Sequence, residues 1–173
     1  MANYKEFLPS VNTFIFDYDG VLTDGSVITT NDGEAHRISS VKDGYALQLA
    51  HKKGYRVAVI SGARSDSMMH RMKALQIQDV FLGVERKLDV FREYLKKYNL
   101  KPEQVLYMGD DIPDYEVMLE AGVATCPADA AEEIKSVARY ISHFPGGKGC
   151  VRDVIEQVLK VQGKWMNDDA YHW

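Results

Sequence analysis

Short runs of apolar residues alternate along the chain with longer stretches in which apolar positions recur at helical spacing. Six of the apolar runs are bounded by turn residues, as is typical of buried strands. They cover residues 13–17, 56–61, 80–82, 105–108, 122–125 and 139–142. The stretches between them predict six helices, over about 43–53, 65–75, 86–98, 113–121, 128–137 and 149–161. This order predicts an α/β fold with a doubly wound parallel sheet, in which ligands bind beyond the carboxyl ends of the strands.

Two segments depart from this pattern. Residues 25–40 contain two short β-prone runs around Asn-Asp-Gly at 31–33, which predicts a β-hairpin inserted after the first strand. Residues 163–173 are polar with scattered aromatic side chains and no period, so we expect a flexible tail. No linker or repeat divides the chain, and residues 1–173 are predicted to form a single domain.

Composition excludes several classes of protein. The 173 residues are 46% hydrophobic and 27% charged, with a formal net charge of −4, which is typical of a globular domain. A mildly acidic chain offers no general basic surface for nucleic acid or an anionic membrane. No apolar run approaches the roughly 20 residues that span a bilayer, and the first residues form no apolar signal segment. Cys126 and Cys150 are too few for a disulfide framework or a zinc site, so we expect a cytoplasmic protein.

Candidate chemistry follows the predicted strands. The sequence DYDGVLTDG at 17–25 places two carboxylates, Asp17 and Asp19, at the mouth of the sheet after the first strand. Ser61, Lys87 and Asp110 follow three later strands. Taken singly, each of these side chains has a structural explanation as a turn, a cap or a solvated charge. Their order and placement favour a shared site that binds a hard cation or divides nucleophile and acid/base roles.

With these motifs, DYDG, SG, a lone lysine and GDDIPD, the chain resembles the haloacid dehalogenase superfamily of phosphotransferases. The resemblance covers residues 13–161 and implies a Rossmann-like, haloacid dehalogenase-like domain. The strings DGVLTDG, VKDGYAL and FPGGKGCVRDVIE resemble one branch, the phosphatases of 3-deoxy-D-manno-octulosonate 8-phosphate, which act in lipopolysaccharide biosynthesis. Close relatives of that branch hydrolyse phosphates of nine-carbon keto acids or have lost activity.

The resemblance implies hydrolysis of a sugar-acid phosphate through an aspartyl-phosphate. In it, Asp17 attacks phosphorus and Asp19 acts as general acid and base. Ser61 hydrogen-bonds the phosphoryl oxygens, and Lys87 pairs with the developing charge.

The same resemblance implies Mg²⁺ as the cofactor. Its protein ligands would be the carboxylates of Asp17 and Asp110 and the backbone carbonyl of Asp19. Asp111 and Asp114 would orient the site without binding the metal directly.

A further group of residues matches the branch on the substrate side. Besides Asp19 and Lys87, the group comprises Ser40, Val41, Lys42, Asp43, Gly44, Gln48, Arg64 and Arg71. A guanidinium suits the carboxylate of a 2-keto acid, although a solvated basic face explains Arg71 equally well. The branch often has Gly-Arg after the motif-two hydroxyl, whereas Ala63 intervenes here and displaces the arginine by one position.

Motif spacing leaves no room for a cap domain. The intervals from Asp17 to Ser61 and from Lys87 to Asp110 are filled by the hairpin, two helices and intervening strands. The resemblance implies a homotetramer in which hairpins associate and C-terminal segments reach neighbouring sites.

The small, apolar residues Ala63 and Ala74 favour an eight-carbon over a nine-carbon substrate. A receiver-type signalling domain, which would hold a phosphoryl group on an aspartate, is the alternative of a different class. Asp19, a general acid and base that promotes hydrolysis, favours the phosphatase.

Overall fold

A computed structural model describes residues 3–172, which form a six-stranded parallel sheet with helices on both faces. The sheet order is β5-β4-β1-β6-β7-β8. Its strands are β1 (Thr13–Phe16), β4 (Arg56–Ile60), β5 (Asp79–Phe81), β6 (Val105–Met108), β7 (Val123–Cys126) and β8 (Tyr140–Ile141). A separate two-stranded ribbon is formed by β2 (Ile28–Thr29) and β3 (Ala35–His36). The predicted doubly wound sheet with an inserted hairpin is confirmed, and no cap domain is present among these residues.

The helices divide into two layers. They are α1 (Val41–Lys52), α2 (Asp66–Ala74), α3 (Lys87–Tyr98), α4 (Tyr115–Glu120), α5 (Glu132–Val137) and α6 (Cys150–Val161). Buried residues of α1, α2 and α6 form one core cluster, and those of α3, α4 and α5 form another on the opposite face. Strand β1 serves both clusters by alternation, because Phe14 and Phe16 join the first and Ile15 joins the second. None of the helices in residues 3–172 combines the length and apolar character needed to span a bilayer.

Two helices are shorter than their sequence patterns predict. The segment before α4 is a 3₁₀ turn at Ile112–Asp114, capped by the Asp111 side chain on the amide of Ile112. Helix α5 begins only at Glu132, because the Ala131 amide donates to the carbonyl of Asp110. This contact holds the preceding turn against the carboxyl end of β6.

The hairpin of β2 and β3 projects from the loop that follows β1. Each strand has only two residues, and an isolated bridge between Thr23 and Ser39 closes the base. Val27, Ile28 and Ile38 are exposed on it, at 47%, 56% and 66%. Such a short ribbon with apolar side chains in solvent has little stability of its own.

The segment before α6 packs behind the loop that follows β1. The Gly147 amide donates to the carbonyl of Val21 at 2.9 Å, and the Cys150 thiol reaches the same carbonyl at 3.3 Å. A Cβ on Gly146 would lie 2.0 Å from the carbonyl oxygen of Gly20, so only glycine permits this approach. The last part of the chain therefore supports the first loop of the sheet.

The C-terminal segment, for which the sequence predicts flexibility, has contacts with α1. Tyr45 donates a hydrogen bond to the carbonyl of Ala170, and the Lys52 ammonium donates to the carbonyl of His172 at 3.0 Å. Trp165 packs against the first core cluster. The predicted domain limits at residues 1, 2 and 173 lie outside the described residues.

Candidate active site

A cleft lies at the carboxyl ends of the central strands. The chain runs from β1 outward to β4 and β5, and then crosses back to β6 on the other side of β1. This reversal opens a crevice beside β1, the usual ligand position in such sheets. Asp17 directly follows β1, and its amide extends the pairing with β6 by donating to the carbonyl of Met108 at 3.0 Å. The cleft above it has a volume of about 420 Å³ and is lined by Asp17, Asp19, Ser61, Lys87 and Asp110, among others.

Three carboxylates converge in this cleft. Asp17, Asp110 and Asp114 each place an oxygen within 4.8 Å of the others. Oδ1 of Asp110 is buried and has no hydrogen-bond partner. Buried polar atoms are normally paired, and an orphaned carboxylate oxygen beside two other carboxylates suits a hard cation with oxygen ligands. The cluster therefore fits Mg²⁺, and Asp17, Asp110 and Asp114 each offer a carboxylate oxygen to it.

The pKa shifts of the clustered carboxylates also favour a bound cation. Burial raises the pKa of Asp17, Asp114 raises it further, and Lys87 opposes both. Burial, followed by the charges of Asp17 and Asp114, also raises the pKa of Asp110. Crowded, desolvated carboxylates of this kind need a compensating positive charge.

Lys87 supplies part of that charge. Its ammonium lies 2.9 Å from Oδ1 of Asp17 and 2.7 Å from Oδ1 of Asp114, and its side chain is 5% exposed. Burial alone lowers the pKa of Lys87, but Asp114 and Asp17 raise it by more, so the group is charged. Tyr107 donates its hydroxyl to the same Asp114 oxygen at 2.5 Å. Asp114 thus holds the lysine, while exposed Asp111 caps the following turn.

Two glycines allow the carboxylates to approach the backbone. Gly20 has a φ of 84°, and a Cβ there would lie 1.9 Å from Oδ2 of Asp110. A Cβ on Gly109 would lie 2.3 Å from that of Asp114. The glycines of the DYDG and GDD motifs are therefore required by the close packing of the acidic side chains.

Ser61 lies opposite the carboxylates. It follows β4, its amide donates to the carbonyl of Phe81 at 2.9 Å, and the side chain is buried in the wall of the cleft. Its hydroxyl oxygen accepts from the Ala63 amide at 3.2 Å, which leaves its proton available to an anion in the cleft.

Asp19 has a partner that the sequence does not predict. Arg37, which follows β3 of the hairpin, donates from Nε to Oδ1 at 2.6 Å and from an outer nitrogen to Oδ2 at 3.0 Å. The arginine side chain is 8% exposed and that of Asp19 is 29% exposed. In the sequence, Arg37 is one polar position in a short ribbon, and no period or motif singles it out.

Comparison with known proteins agrees with this geometry. Residues 29–128 match the family of haloacid dehalogenase-like hydrolases. The 3-deoxy-D-manno-octulosonate 8-phosphate phosphatase KdsC of Salmonella typhi is 36% identical over 155 residues, which cover 90% of this chain and 82% of that protein. The chain belongs to the haloacid dehalogenase-like hydrolases. The predicted resemblance to this family is confirmed.

Solved structures of other haloacid dehalogenase-like hydrolases extend the similarity to the whole fold. The phosphatase of the same name from Moraxella catarrhalis, solved with magnesium, phosphate and KDO, has a TM-score of 0.92 at 32% identity. It covers 99% of this chain and 97% of its own. The Yersinia pestis phosphatase has a TM-score of 0.91 at 33% identity, and the match covers 94% of this chain and 88% of that protein.

The structure brings the predicted catalytic and metal residues together in the cleft and, apart from Asp19 and Lys87, leaves the predicted substrate group outside its lining. Among the described residues, the lining of the cleft does not include the substrate group at 40–44, 48, 64 and 71. Most of that group surrounds the beginning of α1 instead. Ser40 caps this helix, Val41 and Lys42 are exposed on its first turn, and Gln48 is buried one turn further along. Within one chain, these residues lie apart from the cleft lining, and Asp43, Gly44 and Gln48 are buried.

Four members of the substrate group, Asp43, Gly44, Arg64 and Arg71, have close contacts within the chain. The buried carboxylate of Asp43 accepts from the amides of Gly149 and Arg152 at 3.1 and 2.8 Å, so it caps α6 from α1. Gly44 faces the guanidinium of Arg71, and a Cβ there would lie 2.5 Å from one of its nitrogens. Arg64 lies over Gly83, where a Cβ would come within 1.8 Å of Nε.

Proposed function

We propose that this protein is a Mg²⁺-dependent phosphatase that hydrolyses 3-deoxy-D-manno-octulosonate 8-phosphate to the free sugar acid and phosphate. The observation that carries the proposal is the buried Asp17, paired with Lys87 beside the unpartnered oxygen of Asp110. The name and bound ligands of the Moraxella catarrhalis phosphatase support the choice of substrate and cofactor. A cytoplasmic step in lipopolysaccharide synthesis is the corresponding cellular role.

Hydrolysis proceeds by two displacements at phosphorus. In the first, an oxygen of Asp17 bonds to phosphorus, the ester bond breaks, and the leaving sugar oxygen takes a proton from Asp19. In the second, Asp19 takes a proton from water as the water oxygen attacks phosphorus, and the bond to Asp17 breaks to release phosphate. Asp19 ends the cycle protonated, as it began, and Asp17 ends it as a free carboxylate.

The remaining cleft residues stabilise the transferring group. The Ser61 hydroxyl and the Lys87 ammonium, both fixed by neighbours, face the charge that develops on the phosphoryl oxygens. The Asp17 and Asp110 carboxylates and the Asp19 carbonyl would hold Mg²⁺, which would neutralise charge between phosphate and the acidic cluster.

Phosphate release from a panel of esters tests this function. With Mg²⁺, the eight-carbon sugar-acid phosphate should give a higher kcat/KM than a nine-carbon one or p-nitrophenyl phosphate. Asp17→Asn should lower turnover by about 10⁴-fold or more, because it removes the nucleophile. Asp66→Asn, on an exposed carboxylate at the start of α2, is the matched control and should keep full turnover.

Other results would redirect the assignment. Preference for the nine-carbon ester would identify the protein as a phosphatase of nine-carbon keto-acid phosphates. A stable phosphorylated Asp17 without turnover would favour a receiver-type domain. Full activity in excess chelator would contradict the metal-dependent scheme.

We further propose that the working unit is a homotetramer held together by its hairpins. The support is the exposure of Val27, Ile28 and Ile38 on a ribbon too short to be stable alone. Light scattering should show tetramers for the native chain and smaller species for Ile28→Asp. Leu119→Asp, on an exposed leucine of α4, should leave the mass unchanged. An active, substrate-selective monomer would contradict this assembly.

In this assembly, we propose, the substrate group around α1 serves the cleft of a neighbouring subunit. Ser40 and Arg71 lie together beside the base of the hairpin, outside the cleft of their own chain. Co-expression of Asp17→Asn and Arg71→Ala chains should restore activity to mixed oligomers, because some sites then combine two intact halves. Mixtures no more active than the separate variants would place Arg71 outside the site.

A further inference from the structure

The contact between Arg37 and Asp19 joins the hairpin to the cleft. Two guanidinium nitrogens meet the two carboxylate oxygens in a fork, and a third donates to the carbonyl of Ala35 at 2.9 Å. The guanidinium is thus fixed from both sides and almost fully buried. Forked, charge-assisted pairs of this kind set the orientation of a carboxylate as well as its energy.

The two shortest hydrogen bonds of the Asp19 side chain both come from Arg37. Asp17 and Asp114 are both held by Lys87, and Asp114 has Tyr107 as well. The other described hydrogen bond of the Asp19 side chain is to the Thr23 hydroxyl, at 3.5 Å. Without the fork, the Asp19 side chain could rotate between rotamers, and the orientation of its carboxylate would no longer be fixed.

We propose that Arg37 is the positioning residue for the acid/base step, holding the plane of the Asp19 carboxylate so that one oxygen faces the leaving group. The fork uses one lone pair on each oxygen, and each oxygen has a second one for proton exchange. A proton donor must lie within hydrogen-bond reach of the atom it serves, so loss of orientation lowers the rate. This role rests on the proposed phosphatase function.

The proposal assigns the hairpin a part in catalysis. The amides of Gly25 and Ser26 bond to side chains of the loop after β1, and Arg37, at the C-terminal end of the hairpin, is a charged side chain that reaches back to Asp19. Whatever orders the ribbon also fixes the acid/base group. The leaving group is therefore protonated efficiently only when the hairpin is in place.

Leaving-group dependence tests this role. We would measure kcat/KM, which reports the first displacement, for phosphate esters ranging from p-nitrophenyl phosphate to alkyl phosphates. Arg37→Met should lower the value about 100-fold for alkyl esters, which need a proton donor, and less than about threefold for p-nitrophenyl phosphate. Arg37→Lys should recover only part of the loss, because a single ammonium cannot form the fork.

A matched control and a second background separate this role from a structural one. Arg92→Met breaks a similar fork, with Glu120 on the surface, and should leave every ester unaffected. In an Asp19→Asn background, Arg37→Met should cause no further loss on alkyl esters, because its effect passes through Asp19.

Three outcomes would overturn the assignment. Equal losses on all esters would show that Arg37 acts on phosphate binding or on the fold. Additive losses in the Asp19→Asn background would show that it does not act through Asp19. No hydrolysis of any ester by the native chain would overturn the phosphatase function itself, and the role of Arg37 with it.

Discussion

Lys87 resolves a conflict between burial and charge at the centre of the molecule. The Asp17 and Asp114 carboxylates lie side by side in a buried position, where two negative charges repel and neither is well solvated. The lysine contacts both, so one buried cation serves two anions. The contacts that fix Asp17, the proposed nucleophile, therefore also contribute to folding.

Replacing Lys87 should destabilise the metal-free protein as well as inactivate it. Lys87→Met leaves two buried carboxylates without their partner, which we expect to lower the free energy of unfolding by about 3 kcal/mol. Urea denaturation in chelator measures this change. Lys160→Met, which breaks an exposed pair with Glu156 on α6, should cost at most about 0.5 kcal/mol. Equal stability of the two variants would mean that the buried triad contributes nothing to folding.

Among single residues, the sequence predicts the site residues that directly follow sheet strands. It does not predict Arg37, which reaches the site from the inserted hairpin. Asp17, Ser61 and Asp110 could be predicted because parallel strands bring their carboxyl ends to one edge. Arg37 could not, because the direction in which a short ribbon folds over a sheet depends on tertiary contacts that leave no period in the sequence. The orphaned oxygen of Asp110 is likewise visible only once its neighbours are in place.

A carboxylate of α1 caps α6, in addition to the apolar packing between the two helices. Asp43, in the first turn of α1, accepts from two amides at the start of α6, where backbone donors have no partner within the helix. It acts as a cap supplied from another helix, since Gly149 at the cap position of α6 has no side chain to do so. The sequence resemblance assigns this residue to the substrate side, whereas its contacts make it a brace between elements.

Removal of that cap should destabilise the protein more than removal of an ordinary N-cap residue. Asp43→Ala leaves two amides unpaired in a buried position, and we expect it to lower the free energy of unfolding by about 2 kcal/mol. Ser65→Ala, at the N-cap of α2, should change it by less than about 0.5 kcal/mol, because that side chain makes no capping hydrogen bond. Denaturant titration of both variants measures the difference, and equal values would contradict the bracing role.

For the molecule as a whole, the acidic cluster makes stability depend on cation and pH together. Asp17 and Asp110 have raised pKa values in the folded, metal-free chain. Between the ordinary carboxyl pKa of about 4 and these raised values, the folded chain binds more protons than the unfolded chain. The free energy of unfolding therefore falls as the pH rises through this window, and a bound cation removes the cost.

Thermal unfolding in chelator and in Mg²⁺ checks this expectation. The melting temperature in chelator should fall as the pH rises above about 4, because the free energy of unfolding falls by at most about 1.4 kcal/mol per pH unit for each proton. The gain on adding Mg²⁺ should grow over the same range. Asp110→Asn should flatten the pH dependence and weaken the response to Mg²⁺. A chelated protein that becomes more stable across this window would contradict the proposed charge balance.

The contact of residues 146–150 with the loop after β1 has a consequence for the way the protein is made. Val21 and Cys150 are 129 residues apart, and at about 5–20 residues per second roughly 6–26 s separate their synthesis. During that interval the nascent chain carries its nucleophile on a loop whose support has not yet been translated. Asp110, on which the cation site depends, also emerges late. A nascent chain that lacks Asp110 therefore has no complete metal site, and one that lacks Cys150 has no support behind the loop after β1.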